Sequence, residues 1–219
     1  LEPYAIAGCK NQWLQARDQA IFAAESLIAT GLHKQIANRI LEPWMHIEVV
    51  CTGTDFSNFY AVRNHPMAQP EMQALAKAML AAHEDSVPVL KQAGEWHLPF
   101  IRDDELRTDL DPAQQHLYNW HLAQISAARC ARVSYLKHDG SKATPEEDLD
   151  LYARLMAGSP KHASPAEHQA QVPAPYQNFP RSNLSDWIQF RKMHDGETSL
   201  EYQSPSGKVF GSGYAITLN

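Results

Sequence analysis

Residues 31–71 read GLHKQIANRILEPWMHIEVVCTGTDFSNFYAVRNHPMAQPE, and the interpretation of the whole chain turns on this stretch. Arg39, His46, Glu48, Asn58, Arg63 and Gln69 are interleaved with apolar residues, closer together than an ordinary core would place them. Ile36, Ile40 and Leu41 give the first part an apolar side at helical spacing, and Pro43 stops it. A short strand is predicted from His46 to Thr52, rich in β-branched residues and closed by Gly53. Asp55 suits the N-cap of a second short helix, which carries Asn58 and Arg63. Two readings stay open. The arginines and the asparagine suit a phosphate plus a base edge, because a guanidinium fork grips phosphate and a carboxamide pairs with an imide such as uracil. Alternatively Arg39 and Arg63 are exposed and paired with Glu42, Glu48 or Glu71, as weak surface ion pairs.

A chain of 219 residues with 44% hydrophobic residues can bury a full core and is expected to form one domain. It has no apolar run long enough for a membrane helix, and it is expected to act without a membrane, in the cytoplasm. A net charge of −6 argues against a nucleic-acid partner held by spread positive charge. Cys9, Cys51 and Cys130 are an odd number without CxxC spacing, and the 11 histidines form no ligand motif, so neither disulfides nor a metal is expected. The chain does not begin with Met and shows no signal peptide, so a segment upstream of Leu1 is expected to be missing.

Outward from the central stretch, an irregular start at Pro3 and Gly8 is followed by a predicted helix over Trp13–Thr30. Its apolar side is Trp13, Ala16, Ala20, Ile21, Ala24, Leu27 and Ile28, and Gly31 ends it. Pro70 opens a helix to about His83, with Met72, Leu75, Ala76, Met79 and Leu80 inward. In GEWHLPFIR, Trp96 and His97 either line a pocket or cover the core. Asp111-Pro112 starts a helix with Leu117, Trp120, Leu122, Ile125 and Ala128 inward. It leads into SAARCARVSY, which reads as a tight helix crossing or as the support of a site for Arg132 and Ser134. Val133–Tyr135 looks strand-like. Thr144-Pro145-Glu146-Glu147 is a capping box opening a helix with Leu149, Tyr152, Leu155 and Met156. In SPKHASPAEH, Pro165 marks a helix start whose free N–H groups would attract a phosphate beside Ser164. Residues 171–180 read as an extended connector. Ser185-Asp186 is predicted to cap a short helix, WIQFRKM, and the tail from Ser199 is a loop with a terminal strand.

SAARCARVSY and HASPAEH, with the earlier GLHKQIANRILEP, NFYAVR and AQPE, resemble the flavin-dependent thymidylate synthases, and among them the phage-like members. The resemblance spans most of residues 13–192, with the blocks in circularly permuted order; permutation is tolerable where termini lie close together on a surface. It implies an α+β fold, a central mixed or antiparallel sheet flanked by long helices, assembled as a homotetramer with shared active sites. By motif, Ser134, His162, Ser164 and Glu167 look like flavin-contacting positions, with Arg191 and Lys192 at the comparable place downstream. Arg39, Asn58, Arg63 and Gln69 look like the positions that hold dUMP, the two arginines being the candidate catalytic residues. The family's longest signature, R-H-R followed by spaced Ser, Asn, Ser and Arg, is absent as such.

The implied chemistry is one-carbon transfer to C5 of dUMP with FAD as cofactor and methylenetetrahydrofolate and NADPH as co-substrates. The product would be dTMP or 5-hydroxymethyl-dUMP. The rival class is a binding module for nucleotide or flavin that kept the scaffold and lost catalysis.

Overall fold

The computed structural model describes residues 2–158, 160–179 and 182–195, with the backbone of 201–203 and 209–211. The chain divides into two compact units, Leu1–Val49 and Val50–Asn219.

The first unit is built on α1 (Pro3–Ala29). Pro3 sits at the first turn, where its missing N–H costs nothing, so the helix starts well before the expected Trp13 and runs through Gly8. It ends as expected at Gly31, whose φ of +95° only glycine adopts freely. The Leu32 N–H reaches back to the Leu27 carbonyl and the Gly31 N–H to that of Ile28, closing a Schellman motif. α2 (Lys34–Ala37) runs directly into a 3₁₀ turn, Asn38–Trp44, that contains Pro43. Trp44 meets Trp13 with ring centroids 5.4 Å apart. The apolar side expected to face inward is mostly open: Ala24 is buried, whereas Trp13, Ile21, Leu27 and Ile28 are exposed.

The second unit begins with residues 50–56, which have no regular structure. The strand expected at His46–Thr52 does not form. β-branched side chains fit a pleated surface, yet a strand exists only through pairing, and no partner strand is hydrogen-bonded here. α3 (Ser57–Arg63) and α4 (Pro70–Asp85) follow, and Ala76 is the buried contact of α4. Next come β1 (Trp96–His97), α5 (Pro112–Arg132) and α6 (Pro145–Ala157). β2 (Ala170–Gln171) pairs antiparallel with both β1 and β3 (Ile188–Gln189), in the order β1-β2-β3, with Ala170 opposite His97 and Gln189. β4 (Glu201–Gln203) and β5 (Val209–Gly211) pair as a separate antiparallel ribbon; the rest of the expected tail lies outside the described residues. The fold is thus helix-rich α+β, with an antiparallel sheet of three two-residue strands.

Helix starts follow the sequence. Asp111 Oδ1 accepts from the N–H groups of Ala113 and Gln114, and Thr144 and Glu147 close the capping box reciprocally. α5 is the core element. Ser126, Ala127 and Ala128 are fully buried, and their small size lets α6 and the 164–167 turn approach closely. Trp96, Tyr152, Ala166 and Phe190 complete the core, and Phe190 receives the edges of Trp96 and Trp120 at 5.8 and 5.0 Å. Leu117, expected inward, is exposed near the start of α5. Val133 is not strand but the left-handed cap of α5, at φ +53°. WIQFRKM is divided between β3 and a 3₁₀ turn, Phe190–Met193, because Ile188 and Gln189 are used in pairing with β2.

Beside this core lies a buried charge cluster. Asp148, fully buried on α6, accepts from Arg129 Nε at 3.0 Å and from Arg132 Nη2. Arg129 also donates to both carboxylate oxygens of Glu105, at 2.7 and 2.8 Å, and to the Phe100 carbonyl at 2.8 Å. That last bond helps hold Phe100 at φ +60°, which a bulky residue rarely adopts.

Removing one partner of a buried ion pair leaves the other charge uncompensated. Asp148→Ala should therefore cost about 3–5 kcal/mol in urea unfolding. The hydrogen bonds from Arg129 hold the Glu105 carboxyl below its usual value. A carboxyl more acidic in the folded than in the unfolded state contributes stability in full above its unfolded pKa and loses it as pH falls through the folded value. Acid titration of stability should accordingly be shallower in Glu105→Gln than in the wild type, and identical curves would remove Glu105 from the cluster.

Candidate functional site

Arg39 stands on the 3₁₀ turn of the first unit and lines a hollow of about 490 Å³ with Gln35, Asn38, Glu42, Met45 and Ile47. Asn58, Arg63 and Gln69 belong to the second unit: Asn58 and Arg63 on α3, Gln69 at the N-cap of α4. All four are exposed. Neither Arg39 nor Arg63 has an ion-pair partner among the described residues, so the expected pairing with Glu42, Glu48 or Glu71 is not realised. Two unneutralised guanidinium groups are suited to oxyanions. The N-cap of α3 is Phe56 and not the expected Asp55, because Asp55 sits one residue too early; it accepts from the Ser57 N–H at 2.8 Å, and the hydrogen bonds from Ser57 lower its carboxyl pKa.

The segments assigned to flavin by resemblance meet through the sheet. Pairing of Ala170 with Gln189 sets the 164–167 turn beside the 190–193 turn. Glu167 and Arg191 form an ion pair there, and Gln189 Nε2 donates to the Glu167 carbonyl at 2.9 Å and to Asn183 Oδ1 at 2.6 Å. Lys192 is half-buried on the same turn. Ser164 and His162 are exposed; the backbone N–H of His162 donates to the Leu155 carbonyl. Ser134 lies just past α5, where its hydroxyl accepts from the Leu136 N–H at 2.9 Å. The helix expected at Pro165 is a single four-residue 3₁₀ turn, too short to sum a useful macrodipole, so phosphate attraction at that point falls to side chains.

Sequence reasoning missed a recess of about 280 Å³ in the second unit, lined by Thr52, Thr54, His97, Ala170, Leu184 and Trp187. His168 Nδ1 stands 3.0 Å from Thr52 Oγ1, and the Ser185 N–H donates to Thr54 Oγ1 at 3.1 Å, so the irregular 52–54 segment is tied down at two points. Burial lowers the pKa of both imidazoles. Lys91 and His168 add to the effect on His97, whereas Glu167 works against it on His168. Both shifts favour the neutral ring. The two readings of Trp96-His97 each hold for one residue: Trp96 enters the core, and β-alternation turns His97 to the recess. Adjacency of Thr52 to His168, 116 residues apart, leaves no trace in local sequence.

Cys130 is buried between α5 and Gln169, and burial pushes its thiol up to about 12. That disfavours the thiolate, the nucleophilic form. Among the described residues no group of three or more His, Cys, Asp or Glu could hold a metal, and no helix is long and apolar enough to cross a membrane. Comparison of the chain with protein-family models, curated proteins and solved structures returned no match.

Cys9 and Cys51 are exposed. A thiol reagent at pH 8 should therefore label these two quickly in the folded protein and Cys130 only on unfolding, as mass spectrometry of the labelled chain would show.

Proposed function

We propose that the chain carries out flavin-dependent one-carbon transfer to C5 of dUMP, as a circularly permuted relative of the flavin-dependent thymidylate synthases. The observation that carries this reading is the pairing of Glu167, in the HASPAEH motif, with Arg191, which the resemblance places at the comparable position downstream. Around that pair, Ser164, Lys192 and the exposed imidazole of His162 supply hydroxyl, ammonium and ring donors fitted to a diphosphate and a flavin edge. Ser134 would add a hydroxyl from the end of α5.

FAD, reduced by NADPH, supplies the chemistry that moves the one-carbon unit from methylenetetrahydrofolate to the pyrimidine, without a cysteine nucleophile. The protein's own task is orientation and charge placement. In the second unit Arg63 holds the phosphate and offsets negative charge developing on the uracil ring, Asn58 pairs with the imide edge, and Gln69 adds a further amide; Arg39, on the first unit, is the other arginine that the resemblance assigns to dUMP. The open apolar side of α1, including Trp13, Ile21, Leu27 and Ile28, fits an assembly in which copies of the chain cover it, as in a homotetramer with shared sites.

A second reading, a nucleotide- or flavin-binding module without catalysis, is favoured by the absence of the R-H-R signature from these 219 residues. Tritium release from C5-labelled dUMP, with methylenetetrahydrofolate, NADPH and FAD present, separates the two. Release is expected, and none at saturating FAD would leave the binding module. Mass spectrometry of the product distinguishes dTMP from 5-hydroxymethyl-dUMP. Arg63→Ala should weaken dUMP binding about tenfold to a hundredfold in calorimetry, the loss of a charge-assisted contact. Glu167→Ala should purify with less bound flavin than the wild type, read from its visible absorption.

A further inference from the structure

One hollow of the second unit has no part in the reading above. It lies between the C-terminal end of α5 and α6, has a volume of about 600 Å³, and is floored by Ala131, Arg132, Leu151 and Leu155. Arg132 is the unusual member. Its side chain is 10% exposed, and the bond from Nη2 to Asp148 is the one hydrogen bond it makes among the described residues. Nε is buried with no acceptor. Asp148 is shared with Arg129, so its carboxylate cannot serve all of the Arg132 donors. A buried guanidinium short of acceptors is costly unless something supplies them.

The charges around the mouth are unevenly engaged. Asp139 is turned onto the N–H and hydroxyl of Ser141, and Glu147 onto Lys137 and the Thr144 N–H. Lys137 stands near enough to Arg132 that the two cations oppose each other. Asp150 and Arg154 sit one turn apart on α6, without an ion pair between them. We infer that this hollow binds a small molecule with an oxyanion on an apolar body, the oxyanion accepting from Arg132 and the body lying on Ala131, Leu151 and Leu155. A guanidinium beside an aliphatic lining suits an aromatic carboxylate better than a bare ion, because the ring removes apolar surface from water while the carboxylate accepts from the Nη groups of Arg132.

The test uses the full chain without flavin or nucleotide, so its outcome is separate from that of the one-carbon reading. Binding of benzoate, acetate and inorganic phosphate would be measured by saturation-transfer NMR and calorimetry. Benzoate is expected to bind, and more tightly than acetate or phosphate. Two variants locate it. Arg132→Gln removes the cation, and Ala131→Trp, at an exposed position on the floor, fills the hollow without touching the charge cluster. Each should weaken benzoate about tenfold or more, with folding verified by circular dichroism. If Arg132→Gln does not fold, Ala131→Trp decides alone. The inference is overturned if benzoate does not bind, if acetate or phosphate binds as well as benzoate, or if benzoate binds Ala131→Trp as it binds the wild type.

Discussion

A carboxylate with no access to water organises the second unit. Asp148 could not be buried alone, since the desolvation cost of an ion is recovered only by close opposite charge and filled hydrogen-bonding positions. Arg129 and Arg132 meet that need from one face of α5 and fix the rotation of α5 against α6. Arg129 then draws in Glu105 and the Phe100 carbonyl, so the 98–106 stretch, which also packs Leu98 on the core and Phe100 against Tyr135, is pinned by charge as well. Arg102 finishes this side by lying 4.6 Å over the Tyr135 ring.

The apolar core does a different job. Ser126, Ala127 and Ala128 bring α5 close to the 164–167 turn, and Phe190 fills the space between Trp96, Trp120 and Tyr152. Three two-residue strands would be marginal in isolation; here they are clamped by aromatic residues at both edges, with Trp96 on β1 and Phe190 directly after β3. That clamp brings Glu167 and Arg191 together and turns His97 and Trp187 toward the same recess.

The first unit contrasts with this. α1 is long and well capped at its C-terminal end, yet its apolar side is covered mainly by its own short return through α2 and Trp44. Arg39 therefore sits on a small, locally stabilised scaffold.

Local sequence determined where most helices begin and end: Pro70, Pro112 and Pro145 at first turns, Asp111 and Thr144 as caps, Gly31 as a left-handed stop, whereas the start of α1 at Pro3 lies ten residues before the Trp13 that the pattern of apolar residues suggests. Those signals act within a few residues, through backbone hydrogen bonds and fixed φ angles, and so can be read without the fold. Tertiary structure alone decided that IEVVCT stays unpaired, that Ile188 and Gln189 leave a helical-looking segment for a strand, and that Arg129 and Arg132 serve a buried carboxylate before any ligand. Arg39, Arg63, Glu167 and Arg191 could be singled out from their neighbours in sequence, whereas the pairing of the last two, and the meeting of Thr52 with His168, depended on contacts between distant segments. Strand pairing and charge burial are satisfied by partners far away in the chain, and no local pattern of residues encodes which partner that will be.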